Sequence, residues 1–412
     1  MRRLSENRDG NVALIFALVT PLLLAFVGAG VDYAYYTLRK ADLQEIADSA
    51  AIAGARQYLI AKDGAKLPEA IAEQAAKSKL LTEEYGQGAI VNAIADQNAS
   101  SVSVEIVYSM KPSFLVGVFK NPIDIAVSAS AHAKGSANIC IITLNASSRE
   151  TLLLSGDAKL SGKKCAVFDN STNSAAIGVY NNAKITSALT CSSGGYSGTS
   201  MNYAPMPVTD CPPRDNPLAT RTPPIVGVCN HSKFSVNNFT GVLQPGVYCG
   251  GLTIMGSSNV EFQKGIYIIK DGDMEVLGTS KIFGEEVGFY FIGNGADLFL
   301  NDSVDVSLSA PITGVMAGIL IWQDPGGNTI KVFEVASNNV KTLVGTIYLP
   351  KGKFLGRANA PVAQTSAYTA IVADKIELLS GVNLVLNTNY GQTPVPVPAG
   401  LGGTGGSVSL RQ

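Results

Sequence analysis

The sequence predicts a mainly β protein with an N-terminal helical part: a single transmembrane helix, a small membrane-proximal α+β domain and a parallel β-helix (β-solenoid). Three observations predict it: an uncharged apolar run near the start, alternating apolar residues after residue 100, and a later repeat with a period in the low twenties. The expected divisions are a cytoplasmic stub at 1–11, a transmembrane helix at 12–31, an α+β domain at 32–135, a β-solenoid at 136–390 and a flexible tail at 391–412.

The apolar run Val12–Val31 contains 20 residues and no charge. A helix of that length, at about 1.5 Å per residue, spans the roughly 30 Å hydrocarbon core of a bilayer. Arg2, Arg3 and Arg8 precede it, so the positive-inside rule keeps the N-terminus cytoplasmic and exports the rest. A cleaved secretory signal is the alternative, because Gly28-Ala29-Gly30 offers small residues, but the run is longer than a signal core of about 7 to 15 residues.

Composition limits the partners and the compartment. The net charge is −1 and charged residues are 15% of 412, which argues against nucleic acid as a partner because phosphate binding needs a basic face. The six cysteines all follow the apolar run, and an even set in an exported region predicts disulfides. Six cysteines allow about 15 pairings, and the sequence leaves the choice open. They are Cys140, Cys165, Cys191, Cys211, Cys229 and Cys249.

A zinc site is the competing use of these cysteines. No C-x2-C pair occurs, and only His132 and His231 could supply imidazole ligands. Structural zinc sites place cysteines in close pairs, so we expect no metal site and no cofactor.

Helical and then strand-like patterns follow the apolar run. A helix is predicted from Asp32 to about residue 60 and a second at Leu67–Tyr85, with Pro68 in its first turn. Strands are predicted where apolar and polar residues alternate, at Val102–Ser109 and Ile123–Ala129. Helices followed by strands predict the α+β domain.

From Asn138 one pattern recurs: two apolar residues at alternate positions, a turn residue, a small residue or Val, and a further apolar residue. An antiparallel sandwich is the alternative architecture, but a fixed register of turn residues favours the solenoid. A loop at 192–224, rich in Ser, Gly and Pro, is expected to be pinned over the solenoid by disulfides, and SVSL in the tail could dock as a strand. The copies begin at Leu152, Ile177, Leu252, Met274, Leu298 and Ile376.

The acidic residues of this region are scattered, so we predict no catalytic residue. Gly293–Leu298 resembles half of a calcium-binding nonapeptide, but that motif needs stacked copies. Asp169–Asn173 lacks the last serine of a metal-dependent adhesion motif, and no G-x-S-x-G, P-loop or H-E-x-x-H motif occurs. The scattered acidic residues are Asp271, Asp273, Glu285, Glu286, Asp297, Asp302 and Asp305.

The N-terminal segment is similar to the N-terminal domain of the TadE/TadG-like Flp pilus-assembly family over residues 1 to about 60. The matching features are Gly10-Asn11, Pro21, Asp32-Tyr33, Gln44 and Ala47-Asp48. The later pieces CIITLN, CAVFDNS, CPPRDNPLA, PGVYCGGL, ILIWQDP and YTAIVADKIEL resemble C-terminal regions of some of these proteins. The resemblance implies an inner-membrane protein that serves a tight-adherence pilus machine, and it supplies no catalytic residue.

One position departs from the prepilin-like members of that family. They carry a glutamate five residues after the processing glycine, whereas Ile15 stands five residues after Gly10 here. We therefore expect a retained anchor and not a processed fibre subunit.

These observations predict a single-pass bacterial inner-membrane protein with a periplasmic C-terminal part. It is expected to be a structural accessory of Flp pilus assembly, with pilus-assembly proteins as partners and no small-molecule substrate. The alternative is a β-helix that binds or cleaves envelope polysaccharide. A carbohydrate-binding surface would expose a row of aromatics. The only candidates are Tyr180, Tyr248, Tyr267 and Tyr290, and some of them must belong to the core.

Overall fold

A computed structural model describes most of the chain as two units. One contains residues 1–134 and 407–412, and the other contains Gly135–Gly406. We call them the small unit and the large unit. Residues 1–8, the main part of the expected cytoplasmic stub, lie outside the described residues. The described residues are 9–59, 67–82, 85, 88–96, 99–114, 122–134, 138–301, 303–326, 330–402 and 407–411.

The small unit packs two helices on an antiparallel sheet. Helix α1 spans Asp9–Ala55 without a break and leads into a short 3-10 helix, and α2 spans Leu67–Thr82. The strand order is β1-β2-β3-β27, antiparallel throughout. The strands are β1 (Ala89–Asp96), β2 (Ser101–Met110), β3 (Ile123–Lys134) and β27 (Ser407–Arg411).

The C-terminal half of α1 forms the centre of this unit because its small residues allow close approach. Leu43, Ile46 and Ala50 are buried. A Cβ added at Gly54 would lie 2.7 Å from the Pro68 carbonyl oxygen and 2.9 Å from the Ala72 Cβ. The small residues of this segment are therefore used for packing within the unit.

The large unit contains a single 23-stranded sheet, and every pairing between its named strands is parallel in the described part of the chain. Its strands are β4 (Asn138–Thr143), β5 (Leu152–Leu154), β6 (Lys159–Asp169), β7 (Ile177–Val179), β8 (Lys184–Ser192), β9 (Tyr196–Ser197), β10 (Tyr203–Ala204), β11 (His231–Asn237), β12 (Thr240–Leu243), β13 (Gly246–Met255), β14 (Asn259–Phe262), β15 (Gly265–Lys270), β16 (Met274–Val276), β17 (Lys281–Gly284), β18 (Val287–Ile292), β19 (Leu298–Leu300), β20 (Asp305–Ser309), β21 (Ile319–Gln323), β22 (Lys331–Val335), β23 (Asn339–Gly356), β24 (Pro361–Val362), β25 (Thr369–Leu378) and β26 (Asn383–Val385). These parallel pairings rule out the antiparallel sandwich.

The repeat explains the interior of this sheet. Its apolar positions belong to one buried cluster, including Leu252, Ile254 and Val260 at 0% exposure. The turn position adopts positive φ, at +72° in Gly256 and +58° in Asn181, a conformation that Gly and Asn adopt most readily. The pattern found in the sequence therefore places apolar side chains inward on both sides of a corner.

The stacking order of the strands differs from their order in the chain. Strand β25 pairs with β23 on one edge and with β4 and β5 on the other. Strands β4 and β5, which come first in the large unit, therefore stack next to β25, which is one of its last strands. The two ends of the stack are β11 with β12, and β9 with β10. Residues 205–230 connect these two ends, and we call them the strap.

Two features differ from the sequence-based expectation. Strand β1 was not predicted; it is an edge strand with Ile90 and Ile94 exposed. The second is the tail at 391–412, predicted to be flexible apart from a strand that SVSL could add: its described parts form hydrogen bonds, and SVSL lies in β27. The Tyr368 hydroxyl donates to the Pro396 carbonyl oxygen at 2.7 Å, and Ser407–Arg411 pairs with β3. The first part of the tail therefore forms hydrogen bonds within the large unit, and Ser407–Arg411 forms them within the small unit.

Candidate functional site

The first candidate site is the exposed apolar segment of α1. Nearly every residue from Ile15 to Val27 is exposed, including Phe16 at 70% and Phe26 at 68%. The helix has a mean hydropathy of 2.0 over its best 18-residue window, of which 11% is buried. By length and composition it can cross a membrane, which is consistent with an anchor or a signal segment.

A buried carboxylate marks the point where α1 leaves this segment. Asp32 is 7% exposed, and its carboxylate accepts hydrogen bonds from the Ser113 amide at 2.9 Å and the Phe114 amide at 3.0 Å. One turn earlier, a Cβ added at Gly28 would lie 2.8 Å from the Phe114 Cβ. Residues four apart share a helix face, so Gly28 and Asp32 together hold the segment that follows β2. The acidic residue just after the apolar run was the available sequence signal.

The six cysteines form three disulfides, and no free cysteine is present among them. Cys140–Cys165 joins β4 to β6, two strands that are already paired. Cys191–Cys211 and Cys229–Cys249 fix the two ends of the strap. The sequence left these pairings open, and the structure joins each cysteine to one that is consecutive with it in the sequence.

Between its ends the strap contacts other parts of the large unit. The Asn216 side-chain amide donates to the Tyr348 hydroxyl at 2.8 Å, and the Arg221 guanidinium donates to the Ala317 carbonyl oxygen at 2.8 Å. Leu218 is 1% exposed. The predicted loop at 192–224 is therefore a segment that lies along the sheet, although it begins and ends later than expected.

Aromatic residues form a second buried layer outside the interior cluster. Trp322 contacts Tyr290 and Tyr348, with ring centroids 5.9 Å and 5.7 Å away. All three are at most 3% exposed, but none belongs to the interior cluster. Burial raises the pKa of the Tyr290 hydroxyl, which donates to Asp324 at 2.6 Å.

A carbohydrate-binding surface would need a row of exposed aromatics, and three of the four candidate tyrosines for it are buried. Tyr248 and Tyr267 are fully buried and belong to the interior, and Tyr290 is 1% exposed. Tyr180 is half-buried and its hydroxyl donates to Glu150 at 2.7 Å. Of the four candidates, Tyr180 is therefore the one that is partly exposed.

Three of the acidic residues lie at neighbouring corners of the sheet. Asp271 accepts from the Asn294 amide, and Asp273 accepts from the Asp297 amide, each at 3.0 Å. Asp297 in turn accepts from the Val332 amide at 3.0 Å. Each carboxylate therefore satisfies a backbone donor in the next layer of strands. The Gly293–Leu298 segment is a turn within this arrangement.

A buried lysine lies beside these corner carboxylates. Lys331 is 3% exposed, and its ammonium donates to the Gly293 carbonyl oxygen at 2.5 Å. Burial lowers the pKa of Lys331, and the nearby charges of Asp297 and Asp324 oppose that shift. The Lys331 ammonium is therefore attracted to the carboxylates of both Asp297 and Asp324.

The other predicted residues are dispersed. Glu286 forms an ion pair with Lys264 at 2.6 Å and Asp305 forms one with Lys341 at 3.8 Å, while Glu285 is exposed and Asp302 lies outside the described residues. His231 stacks on Tyr248 with ring centroids 4.6 Å apart, and His132 is half-buried in β3. In the part of the chain that the structure describes, no three His, Cys, Asp or Glu side chains form a group that could hold a metal ion.

Asp169 is the most enclosed carboxylate of the stretch compared above with an adhesion motif. It is 1% exposed and accepts hydrogen bonds from the Thr151 hydroxyl at 2.5 Å and the Ser171 amide at 2.9 Å. Burial raises the pKa of this carboxyl, and the hydrogen bonds oppose the shift. Thr151 lies just before β5, and Ser171 lies just after β6, which ends at Asp169.

The comparisons with known proteins concern the N-terminal segment. Residues 10–57 match the family model described as Tad, putative Flp pilus-assembly TadE/G-like. The C-terminal region is unassigned. The search of curated proteins finds no match, and the search of solved structures finds none.

Proposed function

We propose that this protein is a single-pass bacterial inner-membrane accessory of Flp-type pilus assembly, with its C-terminal part in the periplasm. One observation carries the proposal: residues 10–57, which match the TadE/G-like pilus-assembly family, coincide with helix α1. That helix combines an exposed apolar segment with a half that is packed into the small unit. The role is structural, because a membrane-held protein of such a machine acts through contacts with its partners.

A retained anchor is supported by the continuity of α1. The helix runs from Asp9 to Ala55 without a break. Cleavage near Gly30 would remove Gly28 and separate it from Asp32, although both contact the segment at Ser113 and Phe114. The apolar segment is therefore bound to the small unit by contacts that a removable signal does not need.

A periplasmic location is supported by the three disulfides. All six cysteines are paired, and such bonds persist in oxidising compartments such as the bacterial periplasm. They lie on the C-terminal side of α1, as expected when the positively charged stub stays in the cytoplasm.

We propose that the large unit is a β-solenoid that presents a rigid surface to protein partners. The support is the parallel pairing of each strand with the strand one repeat later, as in Met274–Val276 with Leu298–Leu300. The strap and the ordered part of the tail cover one outer layer of the large unit. We expect partner proteins to contact the faces of that unit that these two segments leave uncovered. A polysaccharide-binding role has less support, because three of the four tyrosines that could form an exposed row are buried.

The test is co-purification of the full-length protein from detergent-solubilised membranes of its native host, followed by identification of the bound proteins. The control is the same purification with an unrelated single-pass membrane protein that carries the same affinity tag. We expect pilus-assembly proteins with the native chain and none with the control. Recovery of no such protein with the native chain would contradict the assembly role. Protease access to the large unit only from the periplasmic side of spheroplasts tests the orientation.

A further inference from the structure

The geometry around Gly28 and Asp32 points to a second membrane contact: we propose that Phe114, held against α1, inserts into the outer edge of the bilayer beside the transmembrane helix. The occupant of this surface is lipid. The inference rests on the proposed function, because it needs α1 to span a membrane, and it adds a second membrane-binding element to the small unit.

The position of Phe114 along the helix sets its depth. A Cβ added at Gly28 would lie 2.8 Å from the Phe114 Cβ, and Gly28 stands three residues before the end of the uncharged run at Val31. At about 1.5 Å per residue, Phe114 lies roughly one helical turn inside the end of that run. A helix that places Val31 at the edge of the hydrocarbon core therefore places Phe114 within that edge.

Among the described residues of the small unit, none covers most of the Phe114 side chain. Its side chain is 64% exposed although it touches the helix, and the neighbouring Val27 is 65% exposed. The two are part of one apolar surface that continues along α1 to Ile15. This surface ends where Asp32 is buried, so Phe114 extends the lipid-facing surface of the helix and does not start a separate one.

Residues that favour the membrane interface lie just beyond this point. Tyr33 and Tyr35 are 70% and 55% exposed, and tyrosine is enriched where hydrocarbon meets headgroups. Lys111 is exposed in the same segment as Phe114, and lysine can place its ammonium among headgroups while its stem stays apolar. Apolar, aromatic and cationic groups thus follow each other in the order that a bilayer edge requires.

Asp32 is the positioning residue of this contact. Its carboxylate accepts from the amides of Ser113 and Phe114 and so fixes the backbone at the point where the phenyl group leaves it. Because these amides are satisfied by Asp32, they need no water, which allows this backbone to lie close to lipid.

The test is tryptophan fluorescence of the full chain in proteoliposomes that contain lipids brominated near the headgroup end of the acyl chain. The background variant Trp322→Phe removes the single native tryptophan, and the probe is Phe114→Trp. We expect brominated lipid to lower the probe's emission about twofold, because bromine at this depth lies within the hydrocarbon edge. Adding Asp32→Ala should reduce that quenching, because Asp32 positions the backbone at residue 114. If Asp32 only stabilised the fold, the quenching would stay unchanged.

Two further probes separate the possible failures. Leu81→Trp, at a residue of α2 that is 65% exposed, is the control that should stay unquenched. Phe26→Trp, on the apolar segment, should be quenched. Quenching of Phe26→Trp without quenching of Phe114→Trp would overturn this inference and leave the anchor intact, while absence of both would contradict the anchor itself.

A second measurement avoids replacing Trp322. A benzophenone amino acid at position 114 or position 81 is photoactivated in native membranes. We expect lipid adducts from position 114 and none from position 81. Adducts at position 114 that contain only protein would overturn the lipid assignment and identify that surface as a protein-binding one.

Discussion

Asn170 and Arg214 hydrogen-bond to each other in both directions. The Asn170 side-chain amide donates to the Arg214 carbonyl oxygen, and the Arg214 backbone amide donates to the Asn170 side-chain oxygen, both at 2.8 Å. The guanidinium carbon of Arg214 also lies 4.8 Å from the Phe168 ring centroid. One asparagine thus gives the strap the same backbone pairing that a neighbouring strand would give it.

Asn170→Ala is expected to loosen the strap. It removes both hydrogen bonds and leaves backbone groups without these partners, which we expect to lower the free energy of unfolding by about 2 kcal/mol. Trypsin should cleave after Arg214 and Arg221 faster than in the native protein. Asn182→Ala is the control, since that side chain is exposed and donates to the Asp157 carboxylate away from the strap. Equal cleavage rates in both variants would contradict the role given to Asn170.

The disulfides at the ends of the strap should protect it more than the third disulfide does. Each closes a loop of 20 residues, so replacing either pair with serine should cost about 3 kcal/mol. Protease sensitivity of the strap should rise in the Cys191→Ser, Cys211→Ser variant and in the Cys229→Ser, Cys249→Ser variant.

The matched control for that experiment is Cys140→Ser with Cys165→Ser. Its loop is similar, at 25 residues, but β4 and β6 stay paired through backbone hydrogen bonds. We expect lower thermal stability in this control with no selective cleavage of the strap. Selective cleavage there would mean that the strap is not held through its own cysteines.

Alanine substitutions at two glycines of similar φ distinguish the cost of backbone strain from the cost of a steric clash. Gly278 and Gly314 have φ of +71° and +82°. A Cβ at Gly278 would lie 2.5 Å from the Gly256 carbonyl oxygen, whereas nothing lies within 4 Å of one at Gly314. Gly314→Ala should therefore cost about 1 kcal/mol, and Gly278→Ala clearly more. Chemical denaturation measures both, and equal losses would show that the corners are not closely stacked.

The buried carboxylate of Asp169 should make stability depend on pH in the acid range. Burial raises its folded-state pKa above the ordinary value of 3.8, so the folded state binds more protons between those two pKa values. Its contribution to stability therefore falls as pH rises from about 3.8 through the raised pKa. Asp169→Asn should remove this dependence and stabilise the protein more at neutral pH than below the unfolded-state pKa. Denaturation midpoints across this range test it, with Asp157→Asn as the exposed control.

The residue pattern by itself was enough to predict several elements of the fold. Apolar alternation gave β2 and β3, and the uncharged run marked the exposed part of α1. In the repeat, inward residues such as Leu252 and Ile254 and the turn residue Gly256 were predicted from spacing alone. These features are local. The side of a strand on which a side chain lies follows from the two-residue period, and a positive φ follows from the type of residue.

The tertiary structure decided the stacking order, and with it the sites. Every layer presents similar apolar edges, so nothing in the repeat specifies that β4 and β5 follow β25. That order makes residues 205–230 the connection between the two ends of the stack. Asp32 likewise acquires its role only when the segment 81 residues later reaches it. Contacts between residues far apart in the chain depend on how complete elements fit together, and a pattern within one element does not contain that information.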